Sequence, residues 1–169
     1  MFHLFIQNAK VNNFNDRAHN ALSGTKYSIK AHDSVVGAET QERRDKILRQ
    51  IPIDPRKTKQ LHSVLHVAAG ERTEISLNTR TDEGMTNGAG NFIKLIQMHH
   101  IDKPSGIIWV QFDHADVGQK TRHDNRQLYV NGIEPPWTPI KPVTTQFAVG
   151  RTTSVQVVRK TISITTCCC

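Results

Sequence analysis

The sequence predicts a mixed α/β protein, with helices and strands in its first half and mostly β structure in its second. Three observations predict it. Val11, Phe14, Ala18 and Leu22 recur at the spacing of one helix face. Tyr27 and Ile29 alternate with Ser28 and Lys30, the period of a half-buried strand. From Asn91 onward, β-rich runs are separated by clusters of turn-forming residues.

Taken in order, Phe2–Ile6 is a short apolar run with the character of a buried strand. Asn8 is placed to cap the helix that carries the Val11–Leu22 face, and Gly24 stops that helix. A strand follows near Tyr27–Ile29. Glu39–Gln50 is helical and charged, with Ile47 and Leu48 its only large apolar residues, so it reads as a surface helix ended by Pro52 and Pro55. Leu61–Val67 is apolar at irregular spacing, and Gly70 turns the chain into a strand over Thr73–Leu77. Further strands are predicted over Asn91–Gln97, Ile107–Asp113, Val143–Phe147 and Thr153–Lys160. Pro135, Pro136, Pro139 and Pro142 break up the connection before the last two. The β-rich tail Thr161–Cys169 runs straight into the last residue, and both ends read as cut.

The chain has 169 residues, room for one domain or a domain with a small insertion. Apolar residues make up 37%, enough for a thin core. The net charge of +7 points to a polyanionic partner or simply a basic surface. Gln119–Lys160 holds seven Lys/Arg against two Asp/Glu, so the excess is densest in the last third. No run approaches the ~18 apolar residues of a membrane helix, so no membrane partner is expected. The first residues lack the basic start and long apolar centre of a signal peptide. All three cysteines are the last three residues, which leaves no internal disulfide framework and fits a reducing compartment.

One connection carries more than a turn needs. Between Ser76 and Gly90 the chain reads SLNTRTDEGMTNGAG, although Asn87-Gly88 alone would close a hairpin. Its extra glycines, acids and Arg80 mark a loop shaped to hold something or shaped by a neighbour. A plain glycine-rich turn is the simpler alternative.

Four blocks in order, FIQNAKVNNFNDRAHNAL, LHVAAGERTEISLNTRTDEGMTNGAGNFIKL, GIIWVQFDHADVG and TTQFAVGRTTSVQVVRK, resemble the petite-integration-frequency family of DNA helicases. The resemblance is to the copies carried by mobile elements of the Helitron type, and it spans about Phe2–Lys160. Its most specific block is Leu77-Asn78, then Thr81-Asp82-Glu83, Gly84, Met85-Thr86 and Asn87-Gly88. The resemblance implies part of a RecA-like second motor domain with an inserted small β-barrel of the Src-homology type, truncated at both ends. Residues 1–89 would belong to the motor lobe, 90–152 to the barrel and 153–160 to the strand returning to the lobe; 161–169 reads as an unrelated tail. The family couples ATP hydrolysis with Mg²⁺ to 5′-to-3′ movement along single-stranded DNA, in repair, recombination or transposition. A nuclear location would follow from the resemblance alone.

The departures bear on activity. A P-loop needs Gly-x-x-x-x-Gly-Lys-Ser/Thr, so that backbone N–H groups cradle phosphates and a lysine neutralises them. The nearest phrase, Gly118-Gln119-Lys120-Thr121, has an extra residue before its lysine and Asp113 where a glycine is needed. The Mg²⁺-binding acid and the later arginine block of the family are also missing. The expectation is a helicase fragment with no catalytic residues or cofactor of its own, inactive without a P-loop motor lobe. The alternative is a non-catalytic module for single-stranded nucleic acid; a third reading is a subunit completing a split helicase.

Arg80, Lys94, Lys120, Arg122, Arg126 and Arg151, with Asn87 and Gly88 of the loop, are the candidate DNA contacts. Trp109 and Trp137 could stack bases, but Trp109 lies in an apolar run that favours core packing. His62 and His66 stand at i, i+4 without the glutamate a zincin needs, and His99, His100, His114 and His123 lack partners at metal-ligand spacing. No metal is assigned. Asp113 and Asp116 read as turn residues rather than an acid–base pair. Cys167–Cys169 lacks the box and basic cluster of a lipidation signal.

Overall fold

A computed structural model describes residues 8–98, 104–150 and 154–167. The Phe2–Ile6 strand, Arg151, His99, His100 and the last two cysteines lie outside them. Helix α1 spans Asn8–Ala21, so Asn8 already belongs to the helix. Strands β1 (Lys26–Lys30) and β2 (His32–Val36) follow, then α2 (Gln41–Arg49), β3 (Val64–Ala68) and β4 (Arg72–Ile75). The second half holds β5 (Gly90–Met98), β6 (Gly106–Phe112), α3 (Gln119–Asp124), β7 (Thr138–Ile140), β8 (Val143–Ala148), β9 (Gln156–Thr161) and β10 (Ile164–Thr166). Within the described residues the predicted strands and the charged helix are present, with boundaries shifted by a few residues.

Among the described residues the strands form a ribbon β1-β3, a central sheet β10-β4-β5-β6-β7 and a sheet β2-β9-β8. Every strand pairing in them is antiparallel. The central sheet ends on β10 and β7 and does not close on itself. The broad α/β class stands. The boundary drawn near residue 90 falls between two paired strands, because Arg72 of β4 stands opposite Phe92 of β5.

One core runs through the ribbon and the central sheet. Ile29, Leu65, Val67, Ile75, Ile93, Ile108, Val110 and Ile164 all belong to it. β6 lies between β5 and β7, and its Ile108-Trp109-Val110 run is buried on both faces, as a continuous apolar strand should be. Trp109 is fully buried and donates its Nε1–H to Gln97 Oε1 at 2.7 Å, which settles its role as packing. α2 buries none of its residues and is capped by the Thr40 hydroxyl, which accepts from Arg43 N at 3.3 Å.

Within the described residues of the tail, Ile162 and Ile164 belong to the core. Ile162, Ser163 and Ile164 are buried, and β10 pairs with β4, Ile164 opposite Ile75 and Thr166 opposite Thr73. The alternation of Ile162 and Ile164 with serine supplies apolar side chains at the edge of the sheet.

His62 ties this tail to the segment before β3, its Nε2 lying 3.0 Å from Thr165 Oγ1. Burial pushes its pKa below the ordinary value of about 6.5, helped by the nearby guanidinium of Arg159. A folded pKa below the unfolded one means that the unfolded chain binds more protons. His62 therefore contributes stability above the unfolded value and loses it as pH falls toward the folded one. Urea midpoints measured between pH 7.5 and 5 should fall less steeply for His62→Asn than for the unmodified chain; equal slopes would remove this role.

Candidate nucleic-acid interface

The glycine-rich loop is shaped by a neighbour. At its base Gly88 N donates to Ile75 O at 2.8 Å, and Asn78 Oδ1 accepts from Asn87 N at 2.7 Å. A 3₁₀ turn over Thr81–Glu83 is closed by Gly84 at φ 79°, a left-handed conformation that glycine adopts without strain. A side chain there would also meet Val117 Cγ2 at 3.1 Å.

This turn aims Glu83 at α3. The Glu83 side chain is only 2% exposed and sits against Arg80 Nε at 2.8 Å. Its carboxylate accepts from Thr121 N at 2.8 Å and Thr121 Oγ1 at 2.5 Å. Arg80 Nη1 reaches Asp124 at 3.1 Å, and Lys120 Nζ reaches Asp82 at 2.7 Å. The hydrogen bond to Lys120 lowers the Asp82 pKa, and the same bond raises that of Lys120. The Gly118–Thr121 phrase thus fails as a phosphate cradle for a structural reason: the protein's own carboxylate occupies the amide that a phosphate would need. The residues of this phrase do not fit a nucleotide's phosphates.

The candidate contacts separate into two groups. Arg80 and Lys120 are paired with acids, and Arg122 donates to Val117 O at 2.7 Å, Ala115 O at 2.5 Å and Thr138 Oγ1 at 2.9 Å. These three hold the loop, α3 and β7 together. Arg126, Lys94, Asn87 and Gly88 are exposed; Lys94 stands at the register shift between Ile93 and Leu95. Arg126 and His123 line an open cleft of about 310 Å³ with Arg122, Tyr129 and Pro135. Tyr129 donates its hydroxyl to Trp137 O at 2.5 Å, which fixes its ring, and burial raises its pKa. The cleft therefore offers cations beside an aromatic ring, the combination that takes a phosphate and a base. Among the described residues the structure brings Arg80, Lys120, Arg122 and Arg126 to one helix and its flank, and leaves Lys94 on β5.

Sequence reasoning missed Glu83, His123 and Tyr129 as parts of this arrangement. An acid placed before a left-handed glycine hinted at Glu83; nothing local pointed to its partner 38 residues away. The other constellations resolve as structure. His66 lies on a strand, its Nδ1 2.9 Å from Ser28 Oγ, so the i, i+4 pair does not share a helix face. Asp113 pairs with Arg72 across the strand end through both oxygens, each at 2.5 Å.

The chain matches no protein-family profile and no curated protein. Its fold is similar to part of solved Pif1 helicases. The Pif1 helicase from Candida albicans superposes with a TM-score of 0.56 at 13% identity, over 96% of this chain and 34% of that one. Unliganded Pif1 from Bacteroides sp gives 0.52 at 14% identity, over 98% of this chain and 39% of that one. Bacteroides Pif1 bound to ssDNA gives 0.51 at 12% identity, over 95% and 28%. The chain thus spans between 28% and 39% of the length of these structures.

Proposed function

We propose that this chain is part of a Pif1-type DNA helicase of the mobile-element branch, and that it contributes a contact for single-stranded DNA. The observation that carries the proposal is the fold likeness over 96% of the chain to one such helicase, alongside the four sequence blocks. In this reading residues 1–89 and 153–160 belong to a RecA-like lobe and 90–152 to an inserted β-rich unit. ATP and Mg²⁺ are handled by a P-loop lobe elsewhere, 5′-to-3′ movement needs both lobes, and the work is nuclear. In this reading none of the described residues serves to stabilise charge on a transferring phosphoryl group. Its part is to hold the strand: Arg126 neutralises phosphate, the Tyr129 ring packs against a base, and Glu83 keeps α3 in place beneath them.

The filling of the α3 amide by Glu83 also favours a second reading, a non-catalytic binding module. Both readings predict DNA binding and differ in whether a P-loop lobe restores phosphate release. A filter-binding titration with oligo-dT at ~50 and ~200 mM salt tests the common premise. The expected result is micromolar affinity that falls steeply with salt. Arg126→Ala should weaken it several-fold and lower the salt slope by about 0.7, the share of one phosphate on a single strand. A folded chain that ignores oligo-dT at both salts would sink both readings.

A further inference from the structure

A second basic surface lies outside the α3 region. Between Glu39 and Gln60 the chain holds seven Lys/Arg against four Asp/Glu. Two of the acids are engaged locally: Asp45 accepts from Gln41, and Asp54 pairs with Arg56. The side chains of Arg43, Lys46, Lys57 and Lys59 are exposed and, among the described residues, make no hydrogen bond or ion pair. Arg43 and Lys46 are spaced i, i+3 on α2, neighbours on one helix flank. Asp54, besides pairing with Arg56, lies within Coulombic reach of Lys57, and Glu39 and Glu42 are the remaining acids of the stretch.

The turn that follows is strained and pinned. Lys59 and Gln60 have φ of 54° and 62°, the only non-glycine residues with positive φ among those described. Side chains resist this conformation, so the surroundings must impose it. They do: Gln60 N donates to Pro55 O at 2.7 Å, and Thr58 Oγ1 to Leu61 O at 2.9 Å. Thr58 and Leu61 are buried, and the Leu61 carbonyl also accepts from the buried Arg159. The backbone therefore alternates, with Thr58 inside and Lys57 and Lys59 held outside on a rigid support. Cations carried on a fixed backbone lose less freedom on binding than cations on a loose loop.

We infer that α2 and the 55–60 turn form a second contact for the phosphate backbone of a nucleic acid, with Lys57 and Lys59 at its centre. The inference rests on the nucleic-acid reading above and adds a site to it. A membrane surface fits less well, because an interfacial helix needs a broad apolar face, whereas the only large apolar residues of α2, Ile47 and Leu48, are half-buried.

The test compares the unmodified chain, Lys57→Gln/Lys59→Gln and Arg126→Ala. Each is titrated with DNA and RNA oligonucleotides of one length over a salt series, and circular dichroism checks the fold. The double variant should bind roughly three- to tenfold more weakly and show a salt slope flatter by about 1.4, two single-strand phosphate contacts. Its loss should multiply with that of Arg126→Ala, as for separate sites. Equal losses on DNA and RNA, or a loss on either one, support the contact. Unchanged affinity and slope would overturn it while leaving the α3 reading intact, provided Arg126→Ala still weakens binding. A loss seen only on anionic phospholipid vesicles would also overturn it. If the unmodified chain binds no oligonucleotide, both fail together.

Discussion

Replacing Arg159 by methionine should cost about 3 kcal/mol, because it strands the Asp33 carboxylate, which is 18% exposed, without its partner. Arg159 is 1% exposed at the centre of the β2-β9-β8 sheet. Its Nε and Nη2 donate to the two oxygens of Asp33, each at 2.7 Å, and Nη1 donates to Leu61 O at 2.8 Å. The Phe147 ring covers the guanidinium at 5.3 Å. Methionine fills much of the volume but leaves the Asp33 carboxylate without its guanidinium donor, while the Leu61 carbonyl keeps only the Thr58 hydroxyl. For a chain of this length the loss corresponds to a fall in Tm of roughly 6–12 °C. Removing both charges, with Asp33→Leu beside Arg159→Met, should recover most of it, since a buried pair replaced by apolar groups is often neutral. A single variant melting within a degree or so of the unmodified chain would show that water satisfies Asp33 once the guanidinium is gone.

Truncation after Thr161 should abolish cooperative unfolding, and Ile164→Ala alone should destabilise by about 2–5 kcal/mol. Ile162 and Ile164 are 2% and 1% exposed. Deleting them opens a cavity beside Ile75 and frees an edge of the central sheet, whose backbone groups include Ser76 N, a donor to Ser163 O at 2.9 Å. An exposed apolar edge invites association, so the truncated chain should also aggregate. Thermal unfolding and sedimentation of the two variants check this. A truncated chain that stays monomeric and melts like the parent would mean that the tail merely rests on the sheet.

Much of this architecture is legible along the chain because it depends on near neighbours. The alternation of Tyr27 and Ile29 and the unbroken Ile107–Val110 run each act over a few residues, through side-chain direction. So does the end of α2, where Gln50 is the C-cap and Pro52 follows, restricting the backbone. The missing P-loop is legible in the same way, because a phosphate cradle is one short contiguous loop. The basic excess is legible too, since charge is a sum over the chain and needs no fold.

Pairing across long separations is a different matter. Arg159 finds Asp33 from 126 residues away, and Thr121 finds Glu83 from 38. Neither residue carries a local mark of its partner, because any nearby acid or hydroxyl would satisfy the same local rules. Which one does so depends on how the strands assemble into sheets. That assembly turned Arg80, Lys120 and Arg122 into ties between segments and left Arg126 in the open, although all four are equal as basic residues on paper. It also drew Ile162 and Ile164 into the core. Composition and periodicity state which groups must be buried or paired; only the folded chain, by bringing distant segments within a few ångströms, chooses the partners.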